Sequence, residues 1–425
     1  MAIVMLGVML IGFIVSIPIA VSIGLAGAVG LLMTNTNLLI LPKEIYTAID
    51  KFPLAAIPFF ILAGAIMERG GISIRLVNFA KSLIGGVQGG LAATCVLTCM
   101  MFAAISGSSI ATTFAIGAIL IPALVRDGYP RPYAAALQAS SAELGVIIPP
   151  SIPLILYGVS AEVSIGELFI GGIGPGIFIG AVMMIFVLLY ARWKGYGKVA
   201  RADRLSITQS GIQALPALCL PVVILGGIYS GITTPTEASV VAVFAALLIG
   251  MFVYREIKIS DLFSIFHKAV MSTVMIMIII ATAGLFSYLI TRAGVPNAIG
   301  SYLRDTLSDP FMFLLIVNIV LLVIGMFVET NSSILVLSPI LVPVAMSMGI
   351  DPVHFGLIMV VNLAIGMVTP PLGVNVYAAC TVGNVRFDQV VPRLLPLIAM
   401  MIGCLMVVTY VPDITLALRD IVYNR

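Results

Sequence analysis

Charged residues are the scarcest feature of this chain. Only 9% of its 425 residues carry a charge, whereas 61% are hydrophobic. A soluble domain would have about 25% charged residues, so the composition excludes an ordinary soluble protein. The net charge of +3 is too small to indicate a nucleic-acid partner, and no such partner is expected.

Groups that could carry catalysis or hold a transition metal are also few, with two His and five Cys residues. Cys95 and Cys99 share one predicted helix face, but no His or further Cys joins them, so no metal site is predicted there. His267 and His354 lie near opposite membrane edges, and no nucleophile with a base or catalytic acid pair is found, which argues against an enzyme. No nucleotide-binding motif is present, so direct drive by ATP is not expected.

Apolar runs take the place of these missing groups. A run needs about 20 residues to cross the hydrocarbon core as a helix. We therefore predict an all-α polytopic membrane protein with a single membrane domain over residues 1–425. Residues 2–33 are too long and lack the basic leader of a signal peptide, so they are interpreted as a retained helix. The predicted spans cover 3–33, 54–68, 132–161, 164–191, 213–232, 236–254, 269–291, 353–382 and 392–411.

Two stretches in opposite halves of the chain repeat each other. Each has a group of small polar residues, then a Pro, a Gly turn, and a Pro-Pro that interrupts an apolar helix. The first copy contains Ser106-Gly107-Ser108-Ser109, Pro122, Gly128, Pro130, Gly145 and Pro149-Pro150. The second contains Thr330-Asn331-Ser332-Ser333, Pro343, Gly349, Pro352, Gly366 and Pro370-Pro371. Broken helices at corresponding places of two halves point to the binding site of a secondary transporter.

The basic residues indicate how the two copies are oriented. Segments 83–126 and 309–348 are predicted to be re-entrant hairpins, each with two apolar arms that meet at the polar tip. With that folding, one side of the membrane receives all but six of the 21 Lys and Arg residues, and the positive-inside rule makes that side cytoplasmic. The six others are Lys43, Lys51, Arg292, Arg304, Arg419 and Arg425.

The two hairpins then open to opposite sides, so the repeats are inverted. We place the first repeat at 54–191 and the second, inverted repeat at 269–411. A basic segment at 192–212, which holds the only Trp, Trp193, is predicted to be the cytoplasmic connector.

Each helix break is expected to form a cation site, because half-helix ends present carbonyl oxygens and the tips add hydroxyl and amide oxygens. A few neutral oxygens suit Na⁺, whereas Ca²⁺ would recruit several carboxylates. The alternative is that Ser and Gly only permit close helix packing. The first site is assigned to Ser106, Ser108, Ser109, Gly145, Ile148 and Pro149. The second is assigned to Thr330, Asn331, Ser332, Ser333, Gly366, Thr369 and Pro370.

The substrate is predicted to bind between the two hairpin tips. Its contacts are assigned to Ser108, Ser151, Asn331, Ser332, Pro371 and Asn375. No Lys or Arg is predicted at mid-depth, so an anion would be held by helix ends, hydroxyl groups or an interface residue such as Arg292.

Three acidic residues, Glu143, Glu237 and Glu329, are predicted at membrane depth. Carboxylates in the membrane are functional by default, and proton coupling is one interpretation. The favoured alternative is structural, because each lies within a few residues of Gly, Pro or Ser and could cap or hydrogen-bond a helix break.

Three features carry a family resemblance: the sequence Gly231-Ile-Thr-Thr-Pro-Thr-Glu237-Ala, the Ser106-Gly-Ser-Ser-Ile-Ala-Thr112 tip and the two Pro-Pro breaks. In these features the chain resembles the large membrane subunit of tripartite ATP-independent periplasmic (TRAP) transporters, the DctM type. The resemblance covers essentially the whole chain, and it extends to the sialic-acid branch, the SiaM type. It implies an Na⁺-driven importer of an organic anion, such as a carboxylate or sialic acid, in the bacterial cell inner membrane. It also implies two Na⁺ sites at the positions above and an elevator motion.

The resemblance further implies two protein partners. One is a small four-helix membrane subunit of the DctQ or SiaQ type, expected as a separate chain because this one begins with the large subunit's first helix. The other is a soluble periplasmic substrate-binding protein of the DctP or SiaP type, expected to dock near Arg292–Arg304 and Asp351. Membrane lipid is the surrounding medium. A proton-coupled transporter of the same architecture and an ion channel are the alternatives, although channels use continuous pores shared by several subunits.

Overall fold

A computed structural model describes residues 1–34, 37–197, 206–298, 301 and 309–423. Helices form all the regular structure of these ranges, and no strand occurs in them. Five of the basic residues that were assigned to a side of the membrane lie outside the described residues: Lys198, Arg201, Arg204, Arg304 and Arg425. The main helices are Ala2–Ile14, Ile19–Met33, Ile40–Ile49, Ala56–Arg69, Ile72–Ile84, Gly90–Ser106, Ser109–Arg126, Arg131–Ala142, Leu144–Ile147, Ile152–Ala161, Ile165–Lys194, Ile207–Tyr229, Pro235–Leu248, Ile259–Arg292, Pro310–Gly325, Thr330–Ser347, Pro352–Met367, Val374–Gly383, Phe387–Tyr410 and Asp413–Tyr423.

The polytopic all-α prediction is confirmed. Eight helical segments in the described ranges are long and apolar enough to cross a membrane, and the number is nine if the bent pair Arg131–Ile147 with Ile152–Ala161 counts as one span. Two spans begin earlier than predicted: Ile207–Tyr229 and Ile259–Arg292. Their first turns carry polar residues, which hydropathy alone assigns to loops.

The predicted single helix over 3–33 is wrong. Ala2–Ile14 and Ile19–Met33 are two helices that pack on each other. Pro18 has no N–H to continue a helical ladder, and Ser16 before it has a φ of 62°, which turns the chain back. Small residues permit the contact, since a Cβ at Gly12 would lie 2.8 Å from Ser22 Cβ.

Each predicted hairpin consists of two consecutive helices joined by a short turn, and re-entry into the membrane stays a prediction. The arms of the first, Gly90–Ser106 and Ser109–Arg126, join at Gly107, whose φ of 63° suits a residue without a Cβ. Ser108 caps the second arm, because its Oγ accepts a 3.4 Å hydrogen bond from Ala111 N–H. The arms of the second hairpin, Pro310–Gly325 and Thr330–Ser347, join through a short turn that ends at Glu329.

Both predicted broken helices are present as well. The first breaks between Ile147 and Ile152, and Ser151 caps its second half by accepting from Leu154 N–H. The second breaks between Met367 and Val374. Both Pro-Pro peptide bonds are cis. We call Arg131–Ala161 the first broken helix and Pro352–Gly383 the second.

The two halves exchange elements in a symmetric way. The second half of the first broken helix packs on the second arm of the second hairpin, and the second half of the second broken helix packs on the second arm of the first hairpin. Likewise, Ile165–Lys194 packs on Pro352–Met367, and Phe387–Tyr410 packs on Arg131–Ala142. We call the hairpins, the broken helices and these two long helices the core bundle.

A second group of helices packs mainly on itself. Ala56–Arg69 packs on Pro235–Leu248, and Ile259–Arg292 packs on Ile19–Met33, Ile40–Ile49 and Ala56–Arg69. We call this group, with Ala2–Ile14, the lateral bundle. It meets the core bundle where Ile259–Arg292 contacts Thr330–Ser347 and where Ala56–Arg69 contacts Gly90–Ser106.

Ion pairs join residues that the charge bias assigns to one side of the membrane. On the predicted cytoplasmic side, Lys268 pairs with Glu68 at 2.8 Å, and Arg75 pairs with Glu256 at 3.2 Å. On the other side, Arg419 pairs with Asp351 at 2.7 Å. The predicted topology is therefore consistent with the folded arrangement. The predicted connector begins later than residue 192, because the preceding helix continues to Lys194.

Candidate functional site

A cavity of about 510 Å³ lies between the two hairpin tips and the lateral bundle. One wall comes from the first tip, Ser106–Ala111, together with Ile152 and Pro153 beyond the first break. The second tip contributes Glu329, Thr330 and Asn331. The facing wall comes from two lateral helices and is lined by Ile61, Gly64, Ala65, Glu68, Lys268, Ala269, Ser272, Met275, Ile276 and Ile279.

Three helix N-termini converge on this cavity. They begin at Ser109, Ile152 and Thr330, and residues of each first turn or cap line the wall. A helix N-terminus presents unpaired N–H groups and a partial positive charge of about half an elementary charge. Convergence of three such ends, together with hydroxyl groups, makes the cavity suited to an anion.

The charged residues of the lining lie at two places. Lys268 and Glu68 form their ion pair at one end, where Lys268 is 63% exposed, so this end faces outward from the protein. The predicted topology makes it the cytoplasmic end. Glu329 lies at the second tip, where its Oε1 accepts a hydrogen bond of 2.5 Å from Asn331 Nδ2.

The first predicted cation site is a compact cluster of oxygens. Ser106 Oγ lies 3.1 Å from Thr112 Oγ1, and Thr112 Oγ1 donates to Ser108 O at 2.7 Å. Gly145 lies directly behind this cluster, since a Cβ there would be 2.9 Å from Ser108 O and 2.8 Å from Thr112 Oγ1. Ser109 is buried beside it. The structure brings these residues together, and Thr112, which the sequence did not single out, lies among them one turn beyond the Ser-Ser pair.

The hairpin tip also fits into the helix break. A Cβ at Gly107 would lie 2.8 Å from Pro150 O, and Ile152 N–H donates to Gly107 O at 3.5 Å. The side chains of Ile148 and Pro149 contact a long helix of the core bundle. Ile148 packs against Gly176, and Pro149 Cγ would lie 3.2 Å from a Cβ at Gly172, both on Ile165–Lys194.

The second predicted cation site contains oxygens without partners. Thr330 Oγ1, Asn331 Oδ1, Ser332 Oγ and Ser333 Oγ are buried and make no hydrogen bond within the described residues. Buried polar atoms normally have partners, and four consecutive neutral oxygens are a donor set that fits a weakly charged cation. The set is not arranged around one point, however, because Thr330 and Asn331 line the large cavity whereas Ser332 and Ser333 line an apolar groove beside Ala2–Ile14.

The second break supplies the rest of this predicted site. Gly366 packs against Gly325, which ends the first arm of the second hairpin, and a Cβ at Gly366 would lie 2.6 Å from Gly325 Cα. Thr369 Oγ1 donates to Ile365 O at 2.7 Å, which leaves its lone pairs free to face a cation. Pro370 follows at the break itself. A carboxylate-rich or His–Cys metal cluster does not occur within the described residues.

The predicted substrate contacts divide between the cavity and other places. Ser108 and Asn331 line the cavity. Ser151 is buried and donates to Val146 O at 2.5 Å. The remaining three lie elsewhere: Ser332 in the apolar groove, Pro371 on the surface, and Asn375 fully buried. Arg292 lies away from the cavity, where it donates to Tyr288 Oη at 3.2 Å.

The three predicted glutamates all accept hydrogen bonds from structural partners. Glu237 forms a capping box with Thr234, whose N–H donates to Glu237 Oε2 at 2.8 Å. Glu329 bonds to Asn331 as described above. Glu143 ends the helix Arg131–Ala142 and accepts from Asn375 Nδ2 at 2.6 Å. Sequence reasoning foresaw hydrogen bonding at the breaks, but it had no signal for a bond that joins the two halves.

Comparison with known proteins gives a consistent result. Residues 3–414 match the family described as tripartite ATP-independent periplasmic transporter, DctM component. The isethionate TRAP transporter permease protein DctMQ of Oleidesulfovibrio alaskensis is 43% identical over 403 residues, which cover 94% of this chain and 64% of that protein. The C4-dicarboxylate TRAP transporter large permease protein DctM of Pseudomonas aeruginosa is 41% identical over 94% of both chains.

Two further matches bear on substrate and fold. The sialic acid TRAP transporter large permease protein SiaM of Vibrio cholerae is 34% identical over 95% of both chains. Among solved structures, the YdaH transporter of Alcanivorax borkumensis, described as having an unusual topology, superposes with a TM-score of 0.64 at 15% sequence identity. That superposition covers 89% of this chain and 88% of the other, and it shows the fold alone.

Proposed function

The chain belongs to the DctM-component family of tripartite ATP-independent periplasmic transporters, and from that premise we propose that it imports an organic acid in symport with Na⁺. The family makes it a transport permease and not an enzyme, and a multi-pass protein of the bacterial inner membrane. The single observation that carries the substrate class is the convergence of three helix N-termini on the cavity between the hairpin tips.

The substrate is a small organic anion. Relatives are named for isethionate, a C4-dicarboxylate and sialic acid, which share an acidic group and little else. Helix N-termini and hydroxyl groups can hold a carboxylate or a sulfonate equally well, because both present anionic oxygens. Sialic acid is one member of this class, and the matches do not favour it over the others.

Na⁺ is the proposed coupling ion, at two sites. The neutral oxygen cluster of Ser106, Ser108 and Thr112 supports the first site. The buried, unpartnered oxygens of Thr330 and Asn331, which line the cavity, support the second. Sodium ions beside the helix N-termini would also offset the negative charge of the bound substrate, which explains physically why cation and anion would move together.

An elevator motion is the proposed mechanism. The cavity lies at the contact between the core bundle, which holds both tips, and the lateral bundle, which contributes the facing wall. The end of the cavity that carries Lys268 and Glu68 is cytoplasmic in the predicted topology, so this arrangement corresponds to an inward-facing state. Displacement of the core bundle along the lateral wall would expose the tips to the opposite side.

Two partners complete the proposal: a small membrane subunit and a soluble periplasmic binding protein that delivers the substrate. The name DctMQ and the fact that this chain spans 64% of that relative's length support the association with a second membrane component. We place the binding protein on the side that carries Arg419 and Asp351. Reconstitution should show both requirements directly.

The test is uptake into vesicles that contain the chain and both partners. Labelled isethionate, succinate and sialic acid are offered in turn, with an inward Na⁺ gradient, an inward proton gradient or neither. The proposal expects saturable uptake of at least one acid, driven by Na⁺ and dependent on the binding protein. Uptake driven by the proton gradient alone, or uptake by the chain without any binding protein, would refute it.

A further inference from the structure

A buried polar cluster joins the two halves of the protein. Asn375 lies in the first turn after the second break, and its side chain is fully buried. Its Nδ2 donates to Glu143 Oε1 at 2.6 Å and to Ala139 O at 3.2 Å. Its Oδ1 accepts from Thr113 Oγ1 at 2.6 Å. One residue of the second half thus binds both the first broken helix and the first hairpin.

The cluster reaches the first cation site through Glu143. Glu143 is fully buried and lies two residues before Gly145. Its Oε2 makes no hydrogen bond within the described residues, and the Ser109 side chain lies next to the carboxylate. Thr113 follows Thr112, whose hydroxyl belongs to the oxygen cluster. A change in the position of Ser109 or Thr112 therefore displaces Glu143 or Thr113, the two side chains that bond to Asn375.

The cluster reaches the second cation site through the backbone. Gly373 precedes the half-helix of Asn375, and a Cβ at Gly373 would lie 3.5 Å from Thr369 O. Val376 N–H and Tyr377 N–H both bond to Gly373 O, so the first turn of the half-helix is fixed to the end of the break. Ordering of the break around Thr369 and Pro370 consequently sets where the Asn375 side chain points.

We propose that Asn375, Glu143 and Thr113 form a relay that couples the two Na⁺ sites, so that occupancy of one site raises the affinity of the other. The inference rests on the proposed Na⁺ coupling. These three are positioning residues: they order the site oxygens and are not themselves assigned as ligands. A buried network is suited to this role, because its bonds strengthen one another and tolerate few alternative arrangements.

Cooperative binding has a practical consequence for the transporter. A carrier with one Na⁺ bound could otherwise move without its substrate, which would dissipate the gradient. Coupling between the sites reduces the population of half-loaded protein, since two coupled sites fill together. The position of the relay, buried behind both sites, allows this without any residue in the substrate cavity.

A second buried amide network provides a matched control. Asn362 Nδ2 donates to Asn318 Oδ1 at 2.7 Å, and Asn318 Nδ2 donates to Thr409 Oγ1 at 3.0 Å. All three residues are buried. They lie within the second half of the chain and contact neither tip. Loss of this network should cost comparable stability without affecting communication between the sites.

The experiment measures Na⁺ binding to the purified full chain in detergent, without transport. Binding of radiolabelled Na⁺ is measured at equilibrium as Na⁺ replaces choline at constant ionic strength, and the thermal unfolding midpoint shows separately that each variant is folded and stabilised by Na⁺. For the wild type we expect a Hill coefficient above about 1.5, towards the limit of two for two sites. Asn375→Ala, Thr113→Val and Glu143→Gln should each bring it close to 1, while Asn362→Ala should keep the wild-type value.

Glu143→Gln and Thr113→Val keep the test decisive if Asn375→Ala does not fold, because both preserve shape. In Glu143→Gln the side-chain oxygen can still accept from Asn375, whereas an N–H₂ group replaces the oxygen beside Ser109. An unchanged Hill coefficient in all folded relay variants, with Na⁺ stabilisation intact, would overturn the relay and leave the proposed Na⁺ coupling standing. No Na⁺ response in the wild type would overturn both.

Discussion

Gly145→Ala tests the first cation site more directly than any removal of a hydroxyl group. The added Cβ would lie 2.9 Å from Ser108 O and 2.8 Å from Thr112 Oγ1. Non-bonded atoms prefer roughly 3.5 Å or more, so the tip must move by about 0.6 Å. Neither Ser108 O, a backbone atom, nor the Thr112 hydroxyl bonded to it can give way without breaking the oxygen cluster. Binding geometries tolerate displacements of only about 0.5 Å, so the substitution should disorganise this site.

The magnitude follows from the cost of overpacking. Such substitutions typically cost about 1–3 kcal/mol. If that cost falls on the Na⁺-bound arrangement, the apparent Na⁺ affinity drops by about 5- to 150-fold, since about 1.4 kcal/mol corresponds to a factor of ten. Gly366→Ala should have an equal or larger effect at the second site, because its Cβ would lie 2.6 Å from the backbone of Gly325.

The assay is the Na⁺ dependence of the unfolding midpoint and of uptake into vesicles. Gly403→Ala is the matched control, because Gly403 lies in the helix Phe387–Tyr410 and a Cβ there would meet nothing within 4 Å. It should be neutral or slightly stabilising, since Gly in a helix is less favourable than Ala by about 0.5–1 kcal/mol. Wild-type Na⁺ dependence in Gly145→Ala would show that the tip and break do not form the site.

Three further outcomes are expected. Ser109→Ala and Thr369→Ala should each lower the apparent Na⁺ affinity of uptake about fivefold, as for one lost hydrogen bond, and full retention of the sodium response in both would contradict the assignment. Glu237→Ala should lower the thermal unfolding midpoint through loss of its half of the capping box, with Na⁺ drive unchanged; loss of a pH-driven component of uptake would instead reveal a proton role. For Asp351, burial raises the pKa but the hydrogen bond from Arg419 and the N–H groups of the following turn outweigh it, so the net pKa is lowered. The ionised Asp351 carboxylate stabilises the fold fully above the unfolded carboxylate pKa of about 3.9, and this stabilisation is lost as pH falls through the lower pKa of the folded state. Melting curves from pH 7 to 3 should therefore show an acid-induced fall in the unfolding midpoint that is smaller in Asp351→Asn.

The breaks and hairpins were predictable because Gly and Pro mark them in the sequence. Pro149-Pro150 and Pro370-Pro371 interrupt apolar runs, and Ser108 precedes a run that it can cap. The N-terminal pair was missed for the opposite reason. Its two helices form one continuous apolar run, and the lone Pro18 is compatible with either a kink or a turn. Only the packing of Ala2–Ile14 on Ile19–Met33 distinguishes them.

The sequence indicated which segments meet at the cavity, but not the directions in which their side chains point. Hydropathy places residues 330–333 near mid-membrane, yet it cannot show that Thr330 and Asn331 face the cavity while Ser332 and Ser333 face an apolar groove. Asn375 illustrates the same limit. Its proximity to a break suggested substrate contact, whereas its partner Glu143 lies 232 residues away in sequence. Contacts at such separation follow from how the two halves interlock, which no local pattern encodes.

The character of the wall between the bundles favours sliding over bending. The lateral wall of the cavity contains Gly64, Ala65, Ala269 and Ser272, and a Cβ at Gly64 would make only an ordinary contact of 3.7 Å with the Ser106 backbone. These small residues permit close approach of the two bundles without interlocking ridges over this part of the wall, while larger side chains such as Ile61 and Met275 line the rest. The core bundle, in contrast, is tied together by buried bonds such as those of Asn375. If the core bundle moves as a unit, these internal bonds stay intact, so a displacement of the whole bundle breaks fewer buried hydrogen bonds than separation of its hairpins would. Lys51 and Val159 lie on either side of the contact between the bundles, where Lys51 Nζ donates to Val159 O at 3.4 Å. A bifunctional thiol reagent that joins Lys51→Cys to Val159→Cys should therefore arrest uptake while Na⁺ binding persists, and continued transport in the cross-linked protein would rule out the sliding motion.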